Sequence, residues 1–149
     1  MPDGLILPCP ECGQKNRIPR AKLADEARCG RCKGVVRAAG GVAAVDHFDD
    51  LQLALQSAEA PVLIDFWAPW CGPCRVVAPE VAKVAARRAA DLVVLKVNTD
   101  IDPAVGNHYR IQSIPTMALF DGGRERARTS GARPAKEIED WVRASAAGR

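Results

Sequence analysis

Apolar residues beyond position 41 fall into two kinds of run. Pro61 to Phe66 and Leu92 to Val97 are short and almost continuously apolar, interrupted only by Asp65 and Lys96, which is the form of strands buried on both faces. Val42 to Val45 is a shorter run of the same kind. Asp46 followed by Phe48, Leu51 and Leu55 reads as a cap with the i, i+3, i+7 spacing of a helix. Val77, Val81 and Val84 repeat at helical spacing between Cys71 and about Ala90, with Pro79 a site for a kink. A weaker helical stretch from Asp102 to His108 leads to Thr116 to Phe120, and Asp121-Gly122-Gly123 then turns the chain into a polar strand, Arg124 to Thr129. Pro134 suits the first position of a last helix with Ile138, Trp141 and Val142 as its buried stripe. Alternating strands and helices that end in a hairpin predict an α/β fold, a central mixed sheet flanked by helices. A ligand or reactive group is expected beyond the carboxyl end of a central strand.

The first forty residues break this pattern. Every Phe, Trp and Tyr of the 149-residue chain lies at or beyond Phe48, whereas residues 1–40 hold four of the six cysteines. A segment of about 40 residues without aromatic bulk needs a metal, disulfides or a partner to stay folded. Gly40-Gly41, between the last basic residue of the segment and the first apolar run, has the composition of a short flexible hinge. The expected organisation is a stapled module over residues 1–40 and a core-bearing domain over 41–149.

Charge and hydropathy narrow the function classes. Residues 1–40 carry eight Lys or Arg against four Asp or Glu, and the remainder thirteen against fourteen. A net +4 on a module whose cysteines could bind a cation as thiolates is too small to imply a nucleic-acid partner. No run of 18 apolar residues predicts a membrane helix, and Met1 to Gly13 lacks a basic stretch followed by a sustained apolar one. The expected compartment is the cytoplasm. Disulfides are uncommon there, so Cys-x-x-Cys pairs read as metal ligands or redox catalysts before structural bridges.

Of three such pairs, Trp70-Cys71-Gly72-Pro73-Cys74 directly follows the Pro61 to Phe66 strand and opens a helix. The unpaired N–H groups and positive dipole end of a helix N-terminus stabilise a thiolate on Cys71. The i, i+3 spacing brings Cys74 onto the same turn, within reach of a mixed disulfide at Cys71. Pro73 costs little there, because its missing N–H has no helical partner. On residues alone the pair could still be half of a metal site, and Asp65 a satisfied structural carboxylate. Trp67 and Trp141 read as core, Trp70 as a contact surface, and His47 and His108 as surface or capping residues. Arg124, Arg126 and Arg128 alternate as a solvated edge that discourages strand pairing.

The stretch Asp65-Phe66-Trp67-Ala68-Pro69-Trp70-Cys71-Gly72-Pro73-Cys74 resembles the active-site segment of the thioredoxin family. Further matches at Lys96, Ile114-Pro115-Thr116 and Gly131 extend the resemblance over residues 42–149. It implies the thioredoxin fold and a redox-active disulfide, Cys71–Cys74. By the same likeness Cys71 is the nucleophile, Cys74 the resolving thiol, and Asp65 a buried proton acceptor assisted by Lys96. Pro115 would be a cis-proline beside the disulfide, with the Ile114 backbone available to an extended substrate. Trp70, Gly72, Pro73 and Gly131 would complete the substrate rim.

The other four cysteines stand as Cys9-Pro-Glu-Cys12 and Cys29-Gly-Arg-Cys32, with sixteen residues between the pairs. Zinc takes four soft tetrahedral ligands in a closed structural site, and each Cys-x-x-Cys turn supplies two. One structural Zn²⁺ is expected, with additional dithiols or disulfides as the rival. A zinc ribbon ahead of a thioredoxin domain resembles the thioredoxin-2 type. The expected function is that of a general protein disulfide reductase, a monomer without a bound organic cofactor, acting on disulfide-containing proteins. The resemblance implies recharging by NADPH-dependent thioredoxin reductase. Two rivals remain open: an oxidase or isomerase, and a zinc-ribbon adaptor or redox-regulated holdase that uses the domain only as a peptide-binding platform.

Overall fold

A computed structural model describes residues 4–147, so the outermost residues assigned above to the two modules lie outside the description. Five strands form the main sheet: β5 (Ala43–Ala44), β6 (Val62–Trp67), β7 (Val93–Asn98), β8 (Thr116–Asp121) and β9 (Arg124–Ser130). Their order is β5-β7-β6-β8-β9, with β6 central, parallel to β7 and antiparallel to β8. Alternate residues of each strand serve opposite faces. Val62, Ile64 and Phe66 face one core with α1 (Phe48–Ser57) and α3 (Pro103–Tyr109), while Leu63 faces a second with α2 (Gly72–Arg87) and α4 (Ala135–Ala147). Both faces of the central strands are covered, which is why β6, β7 and β8 read as nearly continuous apolar runs.

Several helix ends differ from the sequence expectation. The residue before α1 is His47, without a side-chain cap; Asp46 instead accepts the Asn98 N–H at 2.9 Å. The α1 N-terminus is capped from a distance by Asp102, which accepts from Phe48 N at 2.8 Å and from Ala104 N at 3.1 Å. One carboxylate thus satisfies two helix starts, and those N–H groups, Phe48 first, hold its pKa below the ordinary carboxylate value. Helix α2 stops at Arg87 rather than near Ala90, and α4 starts one residue after Pro134. Arg128 is more than a solvated edge residue. Its guanidinium donates to the carbonyls of Tyr109 at 2.7 Å and Arg110 at 3.2 Å, closing the C-terminus of α3, while Glu125 holds its other side.

The N-terminal segment is two small hairpins, β1 (Leu5–Pro8) with β2 (Lys15–Ile18) and β3 (Ala27–Arg28) with β4 (Val35–Arg37). The sequence pattern predicts no hydrophobic core for this segment alone. In the fold, Leu5, Leu7, Ile18 and Leu23 are buried and belong to the same cluster as Leu51, Ala54, Leu55 and Val62. At roughly 2 kcal/mol per buried aliphatic side chain, these four contribute on the order of 8 kcal/mol, an upper bound. Polar ties reinforce the same contact: Ile6 N donates to Ser57 Oγ at 2.9 Å, and Lys15 pairs with Asp50 at 3.4 Å. Gly40-Gly41 is a closed turn, with Gly41 N bonded to Ala38 O at 2.9 Å. A Cβ on Gly40 would lie 3.4 Å from the Ala86 Cα, so the expected hinge is packed against α2.

Candidate redox and metal sites

Cys71 is the N-cap of α2, immediately beyond the carboxyl end of β6. Its Sγ accepts the Cys74 N–H at 3.2 Å, one of the orphan donors of the first helical turn. The two sulfurs form a disulfide with Cα atoms 5.3 Å apart. Both cysteines are almost fully covered, Cys71 4% and Cys74 3% exposed, and they cluster with Ala68, Trp67 and Ile114. Gly72 and Pro73 occupy the first helical positions. Trp70 is 70% exposed, and its indole N–H donates to Asp100 at 3.2 Å. Asp100 in turn receives support from Asn98, whose side-chain oxygen accepts the Asp100 N–H at 3.0 Å. Neither Asp100 nor Asn98 stood out in the sequence, because nothing local links them to a Trp thirty residues earlier. Arg75 Nη2 reaches back to the Pro69 carbonyl at 2.8 Å and ties α2 to the loop that carries Cys71.

The Ile114–Pro115 peptide is cis, and Gly131 N donates to Pro115 O at 2.9 Å. These contacts bring Ile114, Pro115 and Gly131 to one rim. A groove of about 580 Å³ runs from Trp70 past Pro103, Gly106 and Ile111 to Ile114.

Asp65 lies in the middle of β6 on the same face as Leu63 and Trp67, the face that α2 covers. It is 5% exposed, and its Oδ1 has no hydrogen-bond partner. Burial pushes its carboxyl up to about 6, against the opposing pull of the Lys96 charge. Lys96 is its cross-strand neighbour on β7, an exposed residue whose Nζ lies 5.8 Å from the centre of the Trp67 ring. A buried carboxyl with a raised pKa, on the strand face covered by the helix that carries the disulfide, is suited to exchange a proton once that pair is reduced.

The four remaining cysteines form a separate cluster. The two turns are built alike: Cys9 N bonds Gln14 O and Gly13 N bonds Cys9 O, just as Cys29 N bonds Gly34 O and Lys33 N bonds Cys29 O. All four Sγ atoms lie within 4.8 Å of one another, with Cys9–Cys32 and Cys12–Cys29 each 3.6 Å apart. A tetrahedral zinc with bonds of about 2.3 Å separates its sulfurs by about 3.8 Å, so this donor set fits the ion in both chemistry and spacing. The N–H groups of Cys32, first, and Arg31 draw the Cys29 thiol down to about 6, whereas at Cys32 the Gly34 N–H is outweighed by the surrounding sulfurs and burial, which push the thiol up to about 11.

Two family models match separate stretches of the chain. The family model for thioredoxin matches residues 42–144, and that for the thioredoxin 2 N-terminal zinc ribbon matches residues 8–34. Thioredoxin C-3 of Corynebacterium nephridii is 35% identical over 138 residues, 93% of each chain. The chloroplastic M-type thioredoxin of Chlamydomonas reinhardtii is 44% identical over 72% of this chain and 75% of its own. Among solved structures, chloroplastic thioredoxin z superposes with a TM-score of 0.65 at 32% identity, covering 72% of this chain and 96% of that one. With its disulfide capping a helix beyond the central strand, the chain belongs to the thioredoxin family of protein-disulfide oxidoreductases, in the thioredoxin-2 type that carries a zinc ribbon.

Proposed function

We propose that this protein is a general protein disulfide reductase of the cytoplasm, working as a monomer. The observation that carries this reading is the Cys71–Cys74 disulfide at the start of α2, with Cys71 Sγ already accepting a helix N–H. Once the pair is reduced, the Cys71 thiolate attacks one sulfur of a substrate disulfide. A Cys71–substrate disulfide forms and the other substrate sulfur departs as a thiolate. Cys74 gives its proton to the Asp65 carboxylate, whose basicity burial raises and the neighbouring Lys96 moderates. The Cys74 thiolate then attacks Cys71 Sγ, which restores Cys71–Cys74 and releases the second substrate thiolate. Two electrons have passed to the substrate. An NADPH-dependent thioredoxin reductase returns them, as the family generally requires.

Trp70, Gly72, Pro73, Ile114, Pro115 and Gly131 form the substrate rim in this reading, the Ile114 backbone pairing with an extended segment around the substrate disulfide. Cys9, Cys12, Cys29 and Cys32 hold one structural zinc, with no open position for chemistry. Residues 1–40 are taken as the ribbon and 41–149 as the redox domain. No described helix is long and apolar enough to cross a membrane.

The test is NADPH-coupled reduction of insulin by the wild type and by Cys71→Ser, which should be inactive. A Cys74→Ser variant should accumulate substrates covalently held on Cys71, while Cys71→Ser holds almost none. Equal trapping by both variants, or trapping on Cys29 or Cys32, overturns the assignment of the nucleophile.

A further inference from the structure

Beside the cis Ile114–Pro115 bond three hydroxyl side chains meet. Thr116 begins β8, is buried, and faces Ser130 at the end of β9 across the sheet register. Thr116 Oγ1 lies 2.6 Å from the Ser113 carbonyl and 3.1 Å from Ser130 Oγ, and Ser113 Oγ lies 3.5 Å from Ser130 Oγ.

Counting protons gives the contacts a direction. A hydroxyl has one hydrogen to donate. A carbonyl can only accept, so the Thr116 hydrogen goes to Ser113 O. The Thr116–Ser130 contact must then be donated by Ser130. Ser113 Oγ–H, pointing to Ser130 Oγ, completes a circuit that leaves and returns to Ser113, and at 3.5 Å it is the weakest link. The bonds at Thr116 span the cis-proline loop from its first residue to the end of β9. The next residue of the chain, Gly131, fastens the same loop through Pro115 O.

We infer that Ser130 is a positioning residue for substrate docking: through Thr116 it fixes the Ser113 carbonyl and so sets the Ile114 backbone that receives the substrate. The inference rests on the reading of Ile114 as a docking strand. It also carries a chemical preference. The Ser130 hydrogen is consumed by Thr116, so the exposed Ser130 oxygen offers only lone pairs to a docked segment. The substrates favoured are those with a donor beside the disulfide cysteine, such as a Ser, Asn or Lys side chain, over those with a carboxylate.

Steady-state reduction of two disulfide-bonded peptides, alike except for Lys or Glu beside the cysteine, tests this. For Ser130→Ala, KM for the Lys peptide should rise about fivefold, the loss of one ordinary hydrogen bond, while kcat stays within about twofold. Ser130→Thr, which retains the hydroxyl, should restore KM. Ser113→Ala should have the smaller effect, and adding it to Ser130→Ala should change little more, because members of one circuit do not act additively. The wild type should prefer the Lys peptide, and Ser130→Ala should narrow that preference. An unchanged KM in Ser130→Ala, a fall in kcat instead, failure of Ser130→Thr to restore KM, additive losses, or a wild-type preference for Glu would each overturn the inference. If the wild type reduces neither peptide nor insulin, it is the reductase reading that fails.

Discussion

The ribbon and the redox domain both present cysteines in Cys-x-x-Cys pairs, yet the chain uses backbone differently to hold them. In the redox domain the pair opens a sixteen-residue helix, so one sulfur meets an orphan N–H and the positive end of a dipole. In the ribbon each pair sits in a turn closed by its own backbone bonds, and the chain leaves each turn as a strand. In each setting a backbone N–H reaches one sulfur, Cys71 in the helix and Cys29 in the ribbon. What differs is the partner: the helix leaves a reactive sulfur poised for a substrate sulfur, whereas the paired turns point four sulfurs at one another, a charge that only a cation can offset. Identical spacing therefore produces catalysis in one region and a staple in the other, and the backbone beyond the second cysteine decides between them.

Removing the metal tests this contrast most severely. Zinc binding in small modules contributes on the order of 10 kcal/mol. A strong chelator should therefore unfold the two hairpins. Because Leu5, Leu7, Ile18 and Leu23 belong to the core cluster that contains α1, the effect should spread beyond the ribbon. Hydrogen exchange should show faster exchange in α1 of the chelated protein, with β6, β8 and α4 still protected. Elemental analysis of reduced protein should find one zinc per chain, and its absence would refute the ligand set. Unchanged α1 protection after zinc loss would show that the shared core does not couple the regions.

Asp65 sharpens the comparison from the other side, since a charge buried for chemistry should cost stability where a metal-bound one adds it. Its carboxyl has an ordinary value of 3.8 and a folded value of about 6. Below 3.8 it is protonated in both states and carries no cost. As pH rises between the two values the unfolded chain releases its proton while the native state keeps it, so stability falls across that window and is flat above it. The accumulated cost is about 3 kcal/mol. Asp65→Ala should accordingly be more stable than wild type at pH 7 by up to about 3 kcal/mol, less any penalty for the cavity left. That advantage should shrink toward pH 4 while turnover is slowed at pH 7. Denaturant melts at the two pH values decide it: a difference independent of pH, or unimpaired turnover, would return Asp65 to a structural role.

How far these features are legible in the chain depends on whether their partners are local. Strands β6, β7 and β8 are legible because burial on both faces leaves an apolar run in the sequence itself. The redox pair and the metal set are legible because each is a short motif. Leu5 and Leu7 do alternate in the sequence, but the helix they cover begins forty residues later, so the ribbon reads as lacking a core. Asp102 capping α1 and Arg128 closing α3 are invisible for the same reason. Asp46 has the right side chain at the right place for a cap, and a tertiary acceptor role on β7 takes it instead. Ser130 gives no signal of any kind, since its meaning depends on sheet register.

The smallest expected effect compares the two ribbon turns with each other. The residue after the second cysteine is left-handed in both, at φ +79 for Gly13 and +66 for Lys33. Glycine adopts that conformation freely, while other L-residues lose roughly 1 kcal/mol to contact between Cβ and their own carbonyl. A Cβ on Gly13 would meet nothing within 4 Å, so Gly13→Ala should register backbone strain alone, at about 1 kcal/mol. Lys33→Gly should do much less. It relieves the same strain of about 1 kcal/mol but gives up the exposed bond from Lys33 Nζ to Gly30 O and loosens the unfolded chain, two losses that together roughly cancel the relief. Melting the zinc-loaded protein in denaturant should therefore leave Lys33→Gly close to wild type and place Gly13→Ala below it. A loss from Lys33→Gly as large as that from Gly13→Ala would mean that the lysine side chain, and not the backbone, holds the second turn, and the two turns would then be alike only in outline.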